Sequence, residues 1–179
     1  MSLNNRFDIM KEAKVSLRKT LLKTVGEANV LDLSQRGRDM FDGCYSGNQY
    51  VKSYKGNEQL AEKINEKALL KDDLDKYNFY DLDVFRRPWE LFFNIIIRLE
   101  GGGRRTFVIT DKMSSSILQR AILRIPKGFT IPNLQEHHAF FLGRLFRKVE
   151  NMTGYKLEFF KQSFLSEPKA KYYGFQLVK

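Results

Sequence analysis

Cysteine and histidine are scarce in this 179-residue sequence, which has one cysteine and two histidines. The single thiol, Cys44, excludes an intramolecular disulfide, and no second cysteine stands beside it to complete a metal knuckle. His137 and His138 are adjacent, and neighbouring side chains on a helix project about 100° apart, so both cannot easily bind one metal ion. We therefore expect a reducing environment and no metal site.

Long apolar runs are also missing from the sequence. No stretch reaches the roughly 18 apolar residues that a membrane-spanning helix needs. The opening residues, MSLNNRFDIMKEAK, lack the charged-then-apolar layout of a secretory signal. We expect a cytoplasmic protein with no membrane partner.

No motif ties residues to a chemistry. Gly101, Gly102 and Gly103 are followed by a strand pattern, whereas phosphate-binding glycine loops are followed by a helix. The serines at 114–116 have no recognisable base beside them. Glu167-Pro168-Lys169 has the letters of a nuclease Glu-x-Lys motif, but its proline favours a turn. The catalytic residues are therefore unknown, no cofactor is expected, and the sequence leaves open whether the protein is an enzyme.

Positive charge is what the sequence has in excess, with a net charge of +10 and a pI near 9.7. Residues 1–56 carry a net +4, residues 57–83 a net −4 and residues 84–179 a net +10. Such a balance favours a polyanionic partner such as nucleic acid, although many soluble proteins are basic without one. The hydrophobic content of 42% is typical of a globular protein. One domain over 1–179 is expected, in which residues 1–56 could form a more loosely attached helix and irregular segment.

The stretch from Trp89 to Thr110 predicts a β-hairpin with a basic tip. Its first strand would carry on one face, at alternate positions, Leu91, Phe93, Ile95, Ile97 and Leu99. The three glycines would supply the turn, and Arg104 and Arg105 would follow it directly.

Periodicity predicts helices over 5–25, 57–77, 112–122 and 133–151, and strands over 155–164 and 171–178. On the first helix, Lys11, Lys14 and Arg18 share a basic face, which is more often solvated than functional. Residues 27–56 are expected to be loop with a short hairpin, and residues 77–88 a connector. The order predicts an α+β fold: a single domain with a mostly antiparallel, four- to five-stranded sheet and helices packed on one side.

Two basic segments predict the function. We expect a nucleic-acid-binding domain, of DNA or RNA, that contacts the phosphate backbone through the basic hairpin and a basic helix face. The candidate binding residues are Arg86, Arg87, Arg98, Arg104, Arg105, Arg144, Arg147 and Lys148. The alternatives are a protein–protein or assembly module, forming a homo-oligomer through aromatic surface and segregated charge, and a metal-dependent nuclease or other nucleic-acid-processing enzyme.

Overall fold

A computed structural model shows a six-stranded mixed sheet with strand order β2-β1-β3-β4-β6-β5. It describes residues 3–33, 44–45, 50–53, 73–84, 87–111, 121–123, 138–164 and 171–179. The strands are β1 (Asn29–Asp32), β2 (Tyr50–Ser53), β3 (Phe79–Leu82), β4 (Arg104–Asp111), β5 (Lys156–Phe164) and β6 (Lys171–Val178).

Five of the six strands run in the same direction, and β6 runs opposite to them. β1 pairs in parallel with β2 on one side and with β3 on the other, and β3 pairs in parallel with β4. β6 is antiparallel to both β4 and β5. After β1 the chain adds β2 on one side of it and then crosses over to place β3 on the other side. The gap between β1 and β3 is therefore a topological switch point.

Three helices of at least eight residues lie within the described ranges: α1 (Leu3–Val25), α2 (Pro88–Ile96) and α3 (His138–Thr153). Residues 121–123 are also helical, and Leu74–Lys76 forms a 3-10 turn. None of the helices in this part of the chain is long and apolar enough to cross a membrane.

α1 packs on one face of the sheet through Leu17 and Leu21, which are buried against β6. Gly174 makes this close approach possible, because a Cβ there would lie only 2.5 Å from Leu21 Cδ1 and 3.0 Å from Leu17 Cδ1. The C-terminal end of α1 lies near the start of β4, since Gln176 bonds both Thr24 and Thr106. The N-terminal half of α1 consequently runs toward the end of the parallel strands at which they finish.

The opposite face of the sheet carries α2 and α3 over an aromatic core. Trp89 and Phe92 of α2 contact Phe107 and Phe175 of the sheet with ring centroids 4.9–6.2 Å apart. Phe141 of α3 packs edge-on against Trp89 at 5.7 Å. Both faces of the sheet are thus covered, which explains why its central strands are buried almost throughout.

The predicted hairpin is wrong in its first half, which is the helix α2. Pro88 occupies the first turn of α2, where its fixed φ favours a helix and its missing N–H is not needed. Trp89, Phe92, Ile95 and Ile96 are buried, and this is helical spacing. Because most residues between Trp89 and Leu99 are apolar, the segment fits the two-residue alternation of a strand as easily as the 3.6-residue period of a helix.

The predicted sheet is also corrected, since it is mixed, has parallel pairs at its centre and carries helices on both faces. β3 lies in the segment expected to be a connector, and β1 and β2 are parallel neighbours instead of a hairpin. These strands were missed because each has only four residues. The helix at 5–25 and the closing β5–β6 hairpin are confirmed, as is the described part of the helix at 133–151. Most of the predicted helices at 57–77 and 112–122 lies outside the described residues.

Candidate ligand-binding site at the carboxyl edge of the sheet

The parallel strands finish together at one edge of the sheet, here called the carboxyl edge. β1 ends at Asp32, β3 is followed by Asp83 and β4 ends at Asp111, so each of these strands brings a carboxylate to this edge. Open sheets with parallel strands bind ligands outside the carboxyl ends of the strands, at the switch point of the topology. The edge beside β1 and β3 is therefore where a ligand site is expected.

A buried ion pair stands at this edge on the face covered by α1. Arg18 donates from Nε to Asp81 Oδ2 at 2.6 Å and from Nη2 to Asp81 Oδ1 at 2.7 Å, and both side chains are 0% exposed. Tyr45 also donates its hydroxyl to Asp81 Oδ2 at 2.6 Å. Burial by itself lowers the pKa of Arg18, but the attraction of Asp81 and Tyr45 outweighs it and raises that pKa above its ordinary value. The side chains of Arg18 and Tyr45 thus hold the Asp81 carboxylate in one orientation.

Lys14 lies one helical turn before Arg18 and pairs with Asp83, two residues after Asp81. Both side chains remain partly exposed. Lys14 Nζ is 2.5 Å from Asp83 Oδ2, and the two side chains are 15% and 11% exposed. Burial raises the pKa of Asp83, but Arg18 and Lys14 outweigh that effect and leave the pKa below its ordinary value. The carboxylate of Asp83 therefore stays charged at neutral pH, at a place that solvent can reach.

A second polar cluster stands at the same edge on the opposite face, around Asp111. Trp89 Nε1 donates to Asp111 Oδ2 at 2.8 Å, and His138 Nε2 lies 4.0 Å from the same oxygen. The imidazole stacks on Tyr173 with centroids 5.2 Å apart. Burial first, and then the charge of Lys171, lowers the pKa of His138 to about 4, so the ring is neutral at pH 7.

Together these groups give the carboxyl edge two complementary chemistries. Carboxylates such as Asp83 accept hydrogen bonds from ribose hydroxyls or from an ammonium group, and cations such as Lys14 pair with a carboxylate or phosphate. No group of three or more His, Cys, Asp or Glu side chains that could hold a metal ion occurs within the described ranges. The edge is therefore suited to a small zwitterionic or nucleoside-like molecule.

The predicted site residues Arg104 and Arg105 stand at the start of β4, away from the carboxyl edge. β4 has eight residues, so about 23 Å separates its two ends. Arg104 pairs with Glu158 at 2.8 and 3.0 Å, and both side chains are nearly half exposed. Arg105 is 7% exposed and donates to Asp75 Oδ1 at 2.8 Å and to the Tyr77 carbonyl oxygen at 2.8 Å.

The other predicted arginines before β4 flank the helix α2 or lie outside the described residues. Arg87 is exposed and precedes α2 with a left-handed φ of 50°, which non-glycine residues rarely adopt. Arg98 is half-buried just after α2. Arg86 lies outside the described residues.

Arg144, Arg147 and Lys148 are brought together on the outer side of α3. They line a groove of about 450 Å³, whose remaining walls are Ala121, Ile122, Asn151 and Met152. The structure thus divides the predicted set into separate groups. Binding of nucleic acid by any of these residues stays a prediction.

Sequence reasoning missed the groups at the carboxyl edge. Arg18 was assigned to a solvated helix face, yet it is fully buried. A usable signal was its position directly after Leu17 and three residues before Leu21, within the apolar stripe of the helix. The carboxylates Asp81 and Asp83 were hidden in a segment whose strand was not recognised.

Comparison with known proteins supplies a fold. The crystal structure of M. jannaschii TYW2 in complex with AdoMet (S-adenosylmethionine) superposes with a TM-score of 0.50 over 93% of this chain and 75% of that one, at 13% identity. No protein-family model matches the chain, and no curated protein matches it in sequence. The likeness contradicts the prediction of a DNA-binding or other nucleic-acid-binding domain, because the similar structure is that of a protein that binds a small molecule.

Proposed function

We propose that this chain binds AdoMet at the carboxyl edge of its sheet and acts as an AdoMet-dependent methyltransferase. The observation that carries the proposal is the charged pair Lys14 and Asp83, partly exposed beside the switch point between β1 and β3. The fold shared with M. jannaschii TYW2, whose structure contains AdoMet, supports it.

The donor set fits the polar parts of AdoMet. Its amino-acid portion has an ammonium group and a carboxylate, and its ribose has two hydroxyls. Asp83 is suited to accept from the ammonium group or a hydroxyl, and Lys14 is suited to pair with the carboxylate. Arg18 and Asp81 are fully buried and bound to each other, so their role is to position Lys14, Asp83 and the end of β3.

The sequence after β1 departs from the dinucleotide-binding fingerprint. Its sequence, Leu33-Ser34-Gln35-Arg36-Gly37-Arg38, has one glycine where that fingerprint has three. The proposal therefore depends on side chains at the edge, and a glycine-rich phosphate loop is not part of it.

The chemistry that AdoMet supplies when bound is an electrophilic methyl group on a sulfonium centre. The chain's own contribution is to hold the positively charged donor and to orient the acceptor, to which the positive charge passes as the bond between sulfur and the methyl carbon breaks. The carboxylates at the edge are well placed for this, since a negative charge in a partly buried site interacts more strongly than in water.

The acceptor in this proposal is a nucleic acid, which the net charge of +10 supports because a basic protein attracts polyanions. We also propose that the protein is cytoplasmic, that it forms a homo-oligomer and that the chain is a single domain.

Calorimetric titration of the protein with AdoMet tests the function. We expect saturable binding, and we expect Lys14→Ala and Asp83→Asn each to weaken it about tenfold, which corresponds to loss of one charge-assisted hydrogen bond of about 1.4 kcal/mol. Lys19→Ala is the matched control, because Lys19 is an exposed lysine on the same helix. Absence of binding at millimolar AdoMet, or an equal loss in the control, would refute the proposal.

A further inference from the structure

The groove on the outer side of α3 combines three cations with exposed apolar surface. Arg147 and Lys148 are exposed, and neither forms an ion pair within the described part of the chain. Arg144 donates to the carbonyl oxygen of Ile122 at 3.4 Å, which leaves its charge uncompensated. Glu150, on the same helix, is engaged instead by Lys156 at 3.8 Å. The groove is therefore a concentrated positive surface.

An aromatic ring stands beside these charges. Phe140 is 58% exposed, and the Arg144 guanidinium lies 4.9 Å from its ring centroid. Met152, which lines the groove, is 55% exposed. A ring that already stacks on arginine is suited to stack a nucleobase as well.

The groove runs along the C-terminal half of α3, and Phe140 stands between it and the carboxyl edge. His138, the first residue of α3, lies beside Asp111 at the carboxyl edge. β5 follows α3 directly and starts at the other end of the strands, level with the start of β4. Phe140 and Met152 are twelve residues apart, a distance of about 18 Å along the helix. A chain bound along α3 would thus lead toward the proposed AdoMet site.

We propose that this groove binds an unpaired, single-stranded segment of nucleic acid and directs it to the carboxyl edge as the methyl acceptor. The cations contact phosphates, and Phe140 stacks on a base, which a duplex would keep inside its own stack. The binding step stands on the groove alone, whereas the acceptor role rests on the proposed function.

The test is a fluorescence-anisotropy titration of a labelled 15-nucleotide oligouridylate at several salt concentrations. Removing two phosphate contacts with Arg147→Ala and Lys148→Ala should weaken binding about 25-fold at 0.1 M salt and reduce the slope of log K against log salt by about 1.4, at 0.7 per contact. Phe140→Ala should weaken binding by about fivefold or more with the slope unchanged, because stacking releases no counterions.

The matched control is the pair Lys19→Ala and Lys23→Ala, exposed lysines on α1, on the other face of the sheet. It removes the same charge and should change affinity less than threefold. Equal losses of oligonucleotide affinity in the groove variant and in the control variant would refute binding at the groove, since net charge alone would then explain the affinity. Tighter binding of a duplex than of the oligouridylate would overturn the single-stranded assignment.

Titration of the groove variants with AdoMet separates the two proposals. We expect unchanged AdoMet affinity, which also shows that the variants are folded. If the wild-type protein binds AdoMet and the groove variants keep the full oligonucleotide affinity, only the proposed role of the groove is refuted. Wild-type protein that binds the oligonucleotide through the groove but does not bind AdoMet refutes only the methyltransferase function.

Discussion

Replacing Arg18 by methionine should lower the free energy of unfolding by about 3–5 kcal/mol. Methionine keeps an unbranched apolar stem, so the loss reports mainly on the missing guanidinium group. Asp81 would lose hydrogen bonds of 2.6 and 2.7 Å and keep one from Tyr45 at 2.6 Å. Because Asp81 is 0% exposed, water cannot replace the lost donors, and an uncompensated charge remains in the interior.

Urea denaturation followed by circular dichroism measures this loss, and the midpoint of thermal unfolding should fall by about 6–20 °C. The double variant Arg18→Met with Asp81→Asn should regain at least half of the loss, since an amide can keep the bond to Tyr45 without a buried charge. A single variant that loses less than about 1 kcal/mol would refute the argument, because it would mean that Asp81 is hydrated. A double variant no more stable than the single one would refute it too.

Two further perturbations test the packing and the electrostatics of the core. The pKa of His138 is about 4 in the folded state against 6.5 ordinarily, so the unfolded state binds the extra proton, and stability should fall by up to about 3 kcal/mol as pH drops from 6.5 to 4. Urea midpoints measured against pH should lose this slope in His138→Phe, and an unchanged slope would assign it elsewhere. Gly174→Ala should cost about 1–3 kcal/mol by the same assay, because its Cβ would lie 2.5 Å from Leu21 Cδ1. Its control, Gly143→Ala on α3, meets nothing within 4 Å and should stabilise the protein by up to about 1 kcal/mol, so equal effects would contradict the role of Gly174.

Local patterns predicted those elements whose surroundings differ on their two sides. α1 has one face in water and one on the sheet, so its apolar residues recur at helical spacing, and the prediction of a helix over 5–25 was confirmed. The β5–β6 hairpin has the length and the aromatic content that distinguish a strand from a loop. These features are local, and neighbouring residues suffice to reveal them.

The same reasoning failed where an element is apolar at most positions or is very short. The apolar residues of α2 fit strand alternation as well as the helical period, and a strand was predicted instead. β1 and β3 have four residues each, too few for alternation to be recognised. Parallel pairing also joins residues far apart in sequence, as Leu31 with Tyr80, and no turn between them announces it.

By itself, the sequence determined the excess of positive charge, the scarcity of cysteine and histidine and the amphipathic helices, because these are properties of composition and of local order. Only the tertiary structure decided which charges act together. It buried Arg18 against Asp81, sixty-three residues away, and left Lys14 and Asp83 partly exposed at the carboxyl edge. It also buried Arg105 against Asp75 and left Arg147 exposed on α3, although both had been assigned to nucleic-acid binding. The physical reason is that a charge acquires its role from burial and from the partner that the fold brings to it, and neither is encoded in the residues beside it.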